Sequence, residues 1–274
     1  MDLLQLVTDI IFWLVEFGGS WITIVSIPTF VAFTSALIIT IKILIAPRYL
    51  KTKTPSEVPS NNKHSVILDN ILNRRTISPK DCLEGKAIKK TELESILEAA
   101  NWAPTHSKTE PWRYIVFNGS SSVTTYLDFL DDFYLSMAHK MTEKETEKFR
   151  KKMSGARKDW PNKCSTLIVI AMKRQQPNED GNRLPEWEEI CSVAMSVQNM
   201  HLTATSMGDI AGFWSSHTWC KRARDSEEMR KFLNLDCDED RVFGAFLLGR
   251  YDANKKQFRS TRKPIMEKVD IRYD

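Results

Sequence analysis

The sequence predicts an α+β domain behind an apolar N-terminal segment. Helical and extended patterns alternate from about residue 66 to residue 248. Four short apolar runs lie between the helical stretches, each bounded by turn residues. A third observation is negative: the chain has no G-x-G-x-x-G, no G-x-x-x-x-G-K-[ST], no H-E-x-x-H and no G-x-S-x-G. The 274 residues are 42% hydrophobic and 27% charged, which excludes wholesale disorder. The net charge of +4 is too small to argue for nucleic acid. The five cysteines are odd in number and without a Cys-x-x-Cys, so neither a disulfide framework nor a zinc ribbon is expected.

The first 47 residues read as an anchor. Leu3, Val7, Ile10, Ile11 and Leu14 recur at helical spacing and predict a short interfacial helix. Trp21 to Ile41 runs 21 residues without a charge, and only Lys42 separates it from Ile43–Ala46. About 20 apolar residues span a bilayer, so residues 21–46 predict a transmembrane helix. A cleaved signal peptide would want a basic start, whereas this one carries Asp2, Asp9 and Glu16. Arg48, Lys51 and Lys53 follow the run, which places the body on the cytoplasmic side. Residues 48–63 have the Pro, Ser, Asn and Lys content of a linker, and residues 64–274 form the folded body. The anchor carries a net charge of −2, which leaves +6 on the rest. Such a body beside an anionic leaflet would be attracted to it, and the same charge is equally that of a solvated surface with no partner.

In the body, Val66 to Asn73 is a short helical stretch ending at Arg74-Arg75. Thr91 and Glu94 form a capping-box pair ahead of a helix over 91–102, which Pro104 closes. Trp112–Phe117 is a strand. Tyr126–Met141 and Thr142–Lys158 are helices, the second highly charged. Thr166–Met172 is nearly all apolar, as expected for a strand covered on both faces. Pro185 opens a long helix that Gly208 ends, apolar on most sides and so predicted to be buried. Ile210–Trp214 is a strand, Asp225–Leu233 a helix with Asp225 and Glu228 as a cap pair, and Val242–Leu248 a strand. Residues 250–274 are polar and offer little to pack against their own chain.

Four short stretches carry candidate chemistry. Arg74-Arg75-Thr76, with Ser78 close behind, sets two guanidiniums beside hydroxyls, an arrangement suited to phosphate. Pro104-Thr105-His106 lies in a polar loop after Trp102, bounded by prolines. Trp214-Ser215-Ser216 offers stacking and hydrogen bonding to a planar ligand. Arg262 stands in a late basic tetrapeptide. Each is common on ordinary surfaces when taken singly.

In this order and at these separations they resemble one family, the FMN-dependent nitroreductases, over residues 66 to about 266. The run RRT…APTHSKTEPW is similar to that family's N-terminal pattern, and the central helix, the Trp-Ser-Ser strand and VFGAFLLGRYD are similar to later ones. The resemblance implies a nitroreductase-like fold, a central and mostly antiparallel sheet flanked by helices, here with an N-terminal transmembrane helix. It implies a homodimer with flavin sites shared between subunits, FMN as cofactor and NADH or NADPH as reductant. The activity implied is reduction of small acceptors such as nitroaromatics and quinones. Arg74, Arg75 and Thr76 then match the phosphate and ring-edge contacts, and Ser78 stands where many members carry a third arginine. Trp102, Pro104, Thr105 and His106 match a loop reaching the partner's flavin, with His106 as a candidate proton donor. Trp214, Ser215 and Ser216 match the strand along the ring, and Arg262 a late phosphate contact. No metal is implied. Two alternatives stay open: a reductive dehalogenase similar to iodotyrosine deiodinase, for which Glu110, Tyr134 and Lys140 are relevant, and a non-catalytic flavin-binding membrane scaffold.

Overall fold

The computed structural model describes residues 68–235, 238–254 and 260–273. The interfacial helix, the predicted membrane span and the linker lie outside these residues. Among the described residues no helix is long and apolar enough to cross a membrane.

The described helices are α1 (Asp69–Asn73), α2 (Lys90–Asn101), α3 (Ser120–Ser136), α4 (Glu143–Lys163), α5 (Glu186–Ser206), α6 (Lys221–Arg224) and α7 (Glu227–Phe232). The strands are β1 (Trp112–Asn118), β2 (Thr166–Met172), β3 (Ile210–Ser215) and β4 (Arg241–Arg250). They form one sheet in the order β1-β2-β4-β3, antiparallel throughout. β2 lies inside the sheet and every residue of it is buried, because alternate side chains serve two different cores. Leu167, Val169 and Ala171 pack with α3 and α4 on one face. Ile168, Ile170 and Met172 pack with α2 and α5 on the other. The all-apolar run is therefore covered on both faces, as its sequence predicts.

Several boundaries differ from expectation for local reasons. The α2 cap sits two residues before Thr91, at Lys89: Glu92 accepts the Lys89 amide at 2.8 Å, so Glu92 does the work expected of Glu94. The helix predicted over Tyr126–Met141 starts at Ser120, directly after Gly119 at φ +92°, and stops at Ser136. α4 is capped by the Thr142–Glu145 box and runs on through Pro161 to Lys163. The predicted helix over 225–233 is α7, Glu227–Phe232, with the separate short helix α6 before it, and Ser226, not Asp225, caps α7 by accepting the Met229 amide at 3.0 Å.

The long helix α5 is buried along Val193, Val197, Met200 and Ala204. The expectation that this helix, apolar on most sides, is buried holds on that side and is corrected on the other. Trp187, Ile190, Cys191, Ala194 and Met195 are exposed at helical spacing, a second apolar face. Its first turn is fixed by a buried ion pair between Arg174 and Glu189. Glu189 also accepts the Gln175 amide, and Arg174 donates to the Leu184 carbonyl. Breaking such a pair leaves an uncompensated buried charge.

Two further devices fix the C-terminal end of β3. Between Val169–Ala245 and Ala171–Val242 the β2–β4 register shifts, so Phe243 and Gly244 together face Ile170 as a bulge. Gly244 has φ +101°, and a Cβ there would stand 1.9 Å from the Ser215 carbonyl oxygen. Beyond β3, His217 is fully buried in an aromatic box. Its Nδ1 meets the Tyr126 hydroxyl at 3.0 Å and its ring stacks on Trp160 at 5.8 Å. Its Nε2 has no protein partner. Burial, reinforced by Arg224, pushes its pKa down from 6.5 to about 3.

Gly244→Ala collides with backbone at a strained φ and should cost at least about 2 kcal/mol in denaturant unfolding. For His217 the native state resists a proton that the unfolded chain accepts near pH 6.5. Stability should therefore be full above that pH and fall on acidification towards about pH 3, by about 2 kcal/mol between pH 6.5 and pH 5. His217→Asn, which tolerates the local φ of +55°, should flatten that part of the profile.

Candidate anion site on the edge of the sheet

Arg74-Arg75-Thr76 leaves α1 and runs along the edge strand β3. Thr76 forms a parallel bridge with Gly212, and the Ile77 amide donates to the Gly212 carbonyl at 3.2 Å. The same carbonyl is reached by His201 Nε2 from α5 at 2.8 Å. A carbonyl only accepts, so Nε2 carries the proton. Gly212 has to be glycine: a Cβ would lie 2.5 Å from His201 Cδ2 and 2.7 Å from Phe246 Cζ. One backbone oxygen thus ties the arginine segment, the central helix and the sheet edge together.

Arg74 is half-buried above this junction and donates a long hydrogen bond of 3.4 Å to the Thr76 hydroxyl. Burial first, then the neighbouring Arg262 and Arg75, lower its pKa from the ordinary arginine value. Burial also lowers the pKa of His201, and Arg74 contributes in the same direction against the Gly212 hydrogen bond. Among the described residues neither Arg74 nor Arg262 is in an ion pair with a carboxylate. Two such guanidiniums, with no carboxylate partner of their own among the described residues, favour an anion with several acceptor oxygens. Arg75 points otherwise. It donates to the Leu72 and Arg74 carbonyls at 2.6 and 2.8 Å, bracing the turn. Ser78 opens a 3-10 turn at Pro79–Asp81, and its carbonyl accepts the Asp81 amide at 2.9 Å. Arg262 donates to Ser260 Oγ and to the Thr261 carbonyl.

Trp214 lies two residues past Gly212 and so shares its side of the sheet, toward α5. Its indole N–H donates at 3.1 Å to the carbonyl of Phe243, the first bulge residue. Ser215 Oγ accepts the His217 amide at 3.4 Å, and the Ser216 carbonyl accepts from Arg224 at 2.8 Å. The aromatic box and the bulge therefore hold this end of β3 rigid.

The second predicted loop is placed elsewhere. His106 Nδ1 bonds Glu188 in the first turn of α5. Glu188 and His201 are 13 residues apart on one helix, roughly 20 Å along its axis. Within one chain, His106 and the arginine cluster thus stand at opposite ends of α5, whereas the Ala99 carbonyl, three residues before Trp102, accepts from Asn199 at 3.0 Å. The loop is stiff: the Thr105 and Thr109 hydroxyls bond at 2.8 Å, Thr105 Oγ1 accepts the Glu110 amide, and Ser107, Lys108 and Glu110 all take positive φ. Pro104 and His106 are exposed. Trp102 is 78% exposed, its indole donating to Glu98 at 2.8 Å. It is a large aromatic left exposed on a rigid loop.

Sequence reasoning missed His201 and Gly212. The signal was present, as a histidine inside an apolar helix and a glycine inside a strand, but their meeting needs the fold. Tyr134, relevant to the dehalogenase alternative, is buried and stacks on Phe149 at a ring separation of 3.7 Å. It is core, with no surface to offer a substrate.

Residues 71–250 match the model of the Nitroreductase family. YfhC of Bacillus subtilis, which bears the name of an NAD(P)H nitroreductase, is 23% identical over 155 residues, 57% of this chain and 71% of its own length. YdjA of Escherichia coli K12, named in the same way, is 24% identical over 182 residues, 66% and 86% of the two chains. A nitroreductase-like protein of Bacillus cereus shares the fold with a TM-score of 0.55 at 24% identity, covering 74% of this chain and 94% of its own. A Desulfovibrio desulfuricans protein solved with FMN does so with a TM-score of 0.52 at 19% identity, covering 80% and 100%. The family match takes in the Arg-Arg-Thr segment, α5 and the whole sheet, the elements that meet at the Gly212 carbonyl, and the chain belongs to the Nitroreductase family.

Proposed function

We propose that the chain is a flavin oxidoreductase that binds FMN and is reduced by NADH or NADPH, passing the electrons to a small acceptor such as a nitroaromatic or a quinone. The observation that carries this reading is the uncompensated Arg74–Arg262 pair set over the Thr76–Gly212 bridge. A flavin mononucleotide ends in a phosphate dianion, and two guanidiniums without a carboxylate suit it. The fit extends to the ring: Trp214 and Ser215 continue β3 from the anion site, as a planar group attached to that phosphate requires. When bound, FMN supplies the hydride and electron chemistry, and the protein has only to bind, orient and shield it. Arg74 and Arg262 would hold the phosphate, Thr76 would accept or donate at its edge, and His106 is the candidate proton donor to the reduced acceptor.

The working unit we propose is a homodimer. His106 stands far from the arginine cluster of its own chain, so a site using both needs two copies. The exposed face of α5, with Trp187, Ile190 and Met195, offers an apolar surface for a two-fold contact. The tail supports the same reading, since Ile265, Met266, Val269, Ile271 and Tyr273 are all exposed on a single chain. We also propose that residues 21–46 tether the enzyme to a membrane with the body on the cytoplasmic side, a reading supported by the uncharged run and the cations after it.

The direct test is the visible spectrum of the full chain loaded with FMN, before and after anaerobic NADH or NADPH. Bleaching is the expected result, and protein that cannot retain FMN would overturn the reading. Arg74→Ala should weaken FMN about 10- to 100-fold in a fluorescence titration, the loss of one charged hydrogen-bonding partner. Met195→Glu should convert the dimer to monomer in sedimentation while the helix content is kept, since the residue is exposed and α5 has a separate buried face.

A further inference from the structure

The long helix α4 faces the sheet with Phe149, Met153, Ala156 and Trp160, all buried. At 3.6 residues per turn, the line opposite this face carries Lys144, Lys148, Lys151 and Lys158. All four are exposed, and they extend about 21 Å along the helix. Glu147 and, at the margin, Glu143 are the acids on that line, both exposed, against the four lysines. The other charges beside it are engaged elsewhere: Glu145 with Arg222, Asp159 with Lys163, and Arg157 with Asp128 and Asp131. Among the described residues none of the four lysines is in an ion pair. Arg150 and Lys152, also exposed, flank the stripe.

We propose that this outer face of α4 docks on an anionic phospholipid surface, the cytoplasmic leaflet to which the chain would be tethered; this rests on the reading of residues 21–46 as a membrane span. The stripe is straight and made of lysines, compact charges that attract a diffuse negative surface without demanding a fixed partner geometry. It carries no aromatic side chain of the kind that stacks on nucleic-acid bases. Each basic residue near an anionic bilayer contributes about fivefold in partition. Four together are weak for a free protein, but a tether makes the contact intramolecular and raises its effective concentration. The face lies across the sheet from α5, so docking leaves the proposed dimer face free.

The test uses the full chain mixed with vesicles of phosphatidylcholine alone or of phosphatidylcholine with phosphatidylserine. An amine-reactive reagent labels exposed lysines, and the readout is labelling at each position. The expected result is at least about threefold protection of Lys144, Lys148, Lys151 and Lys158 on the serine-containing vesicles. Protection should vanish at high salt, be absent on neutral vesicles and leave the exposed Lys86 and Lys90 unchanged. K144Q/K148Q/K151Q/K158Q, a surface change that leaves the buried face of α4 intact, should abolish the serine-dependent protection of Arg150 and Lys152 read by proteolysis. Equal labelling on both vesicles overturns the proposal, as does protection that appears only when an acidic protein or a nucleic acid is added. Flotation on neutral vesicles reports the tether separately. If the chain floats only with the serine-containing ones, the span reading fails and the docking face stands.

Discussion

The carbonyl oxygen of Gly212 accepts two hydrogen bonds, from the Ile77 amide and from His201 Nε2, and most of the molecule is arranged around that point. β3 is an edge strand, so its outer backbone groups would otherwise face water or another chain. The Arg-Arg-Thr segment takes that edge for a single bridge and then turns away at Pro79. His201 reaches the same oxygen from α5 only because residue 212 has no side chain. The result is a short piece of backbone held from both directions, with Arg74 above it. A guanidinium positioned in this way does not have to give up much freedom when an anion arrives.

The central helix then acts as a ruler. His201 marks the end at the anion site and Glu188 the end that holds the His106 loop. The buried Arg174–Glu189 pair fixes where the helix begins, and so where His106 stands. Of the two long faces of α5, one is core and the other is apolar and exposed. A helix with two apolar faces belongs between two bodies, and a two-fold related copy would bring the His106 end of one chain toward the arginine end of the other. A site shared between subunits, as we propose, would then have its origin in the length of one helix.

Rigidity at the ring end comes from different physics. The bulge at Phe243-Gly244 directs a carbonyl to Trp214, and the aromatic box around His217 clamps the chain just past Ser216. The box keeps its imidazole neutral and leaves Nε2 unpartnered, so it is held by packing and one hydrogen bond to Tyr126. Such a clamp suits a strand that must present a flat surface.

Much of this was written in the sequence. Apolar periodicity marked the strands to within a residue or two, and the unbroken apolar run of β2 announced a sheet covered on both faces. The order and spacing of RRT, APTH, WSS and the late Arg262 resembled the family to which the chain belongs. Helix ends were less legible, because Glu92 and Ser226 cap from positions whose alternatives one or two residues away look equally good. What only the tertiary structure decided are the contacts between residues far apart in the chain. His201 meets Gly212 across a helix and a strand, Arg74 meets Arg262 across nearly the whole domain, and His106 is separated from both by the length of α5. Periodicity reports which face of an element is apolar; it carries no record of which faces meet, because that follows from the packing of all the layers at once.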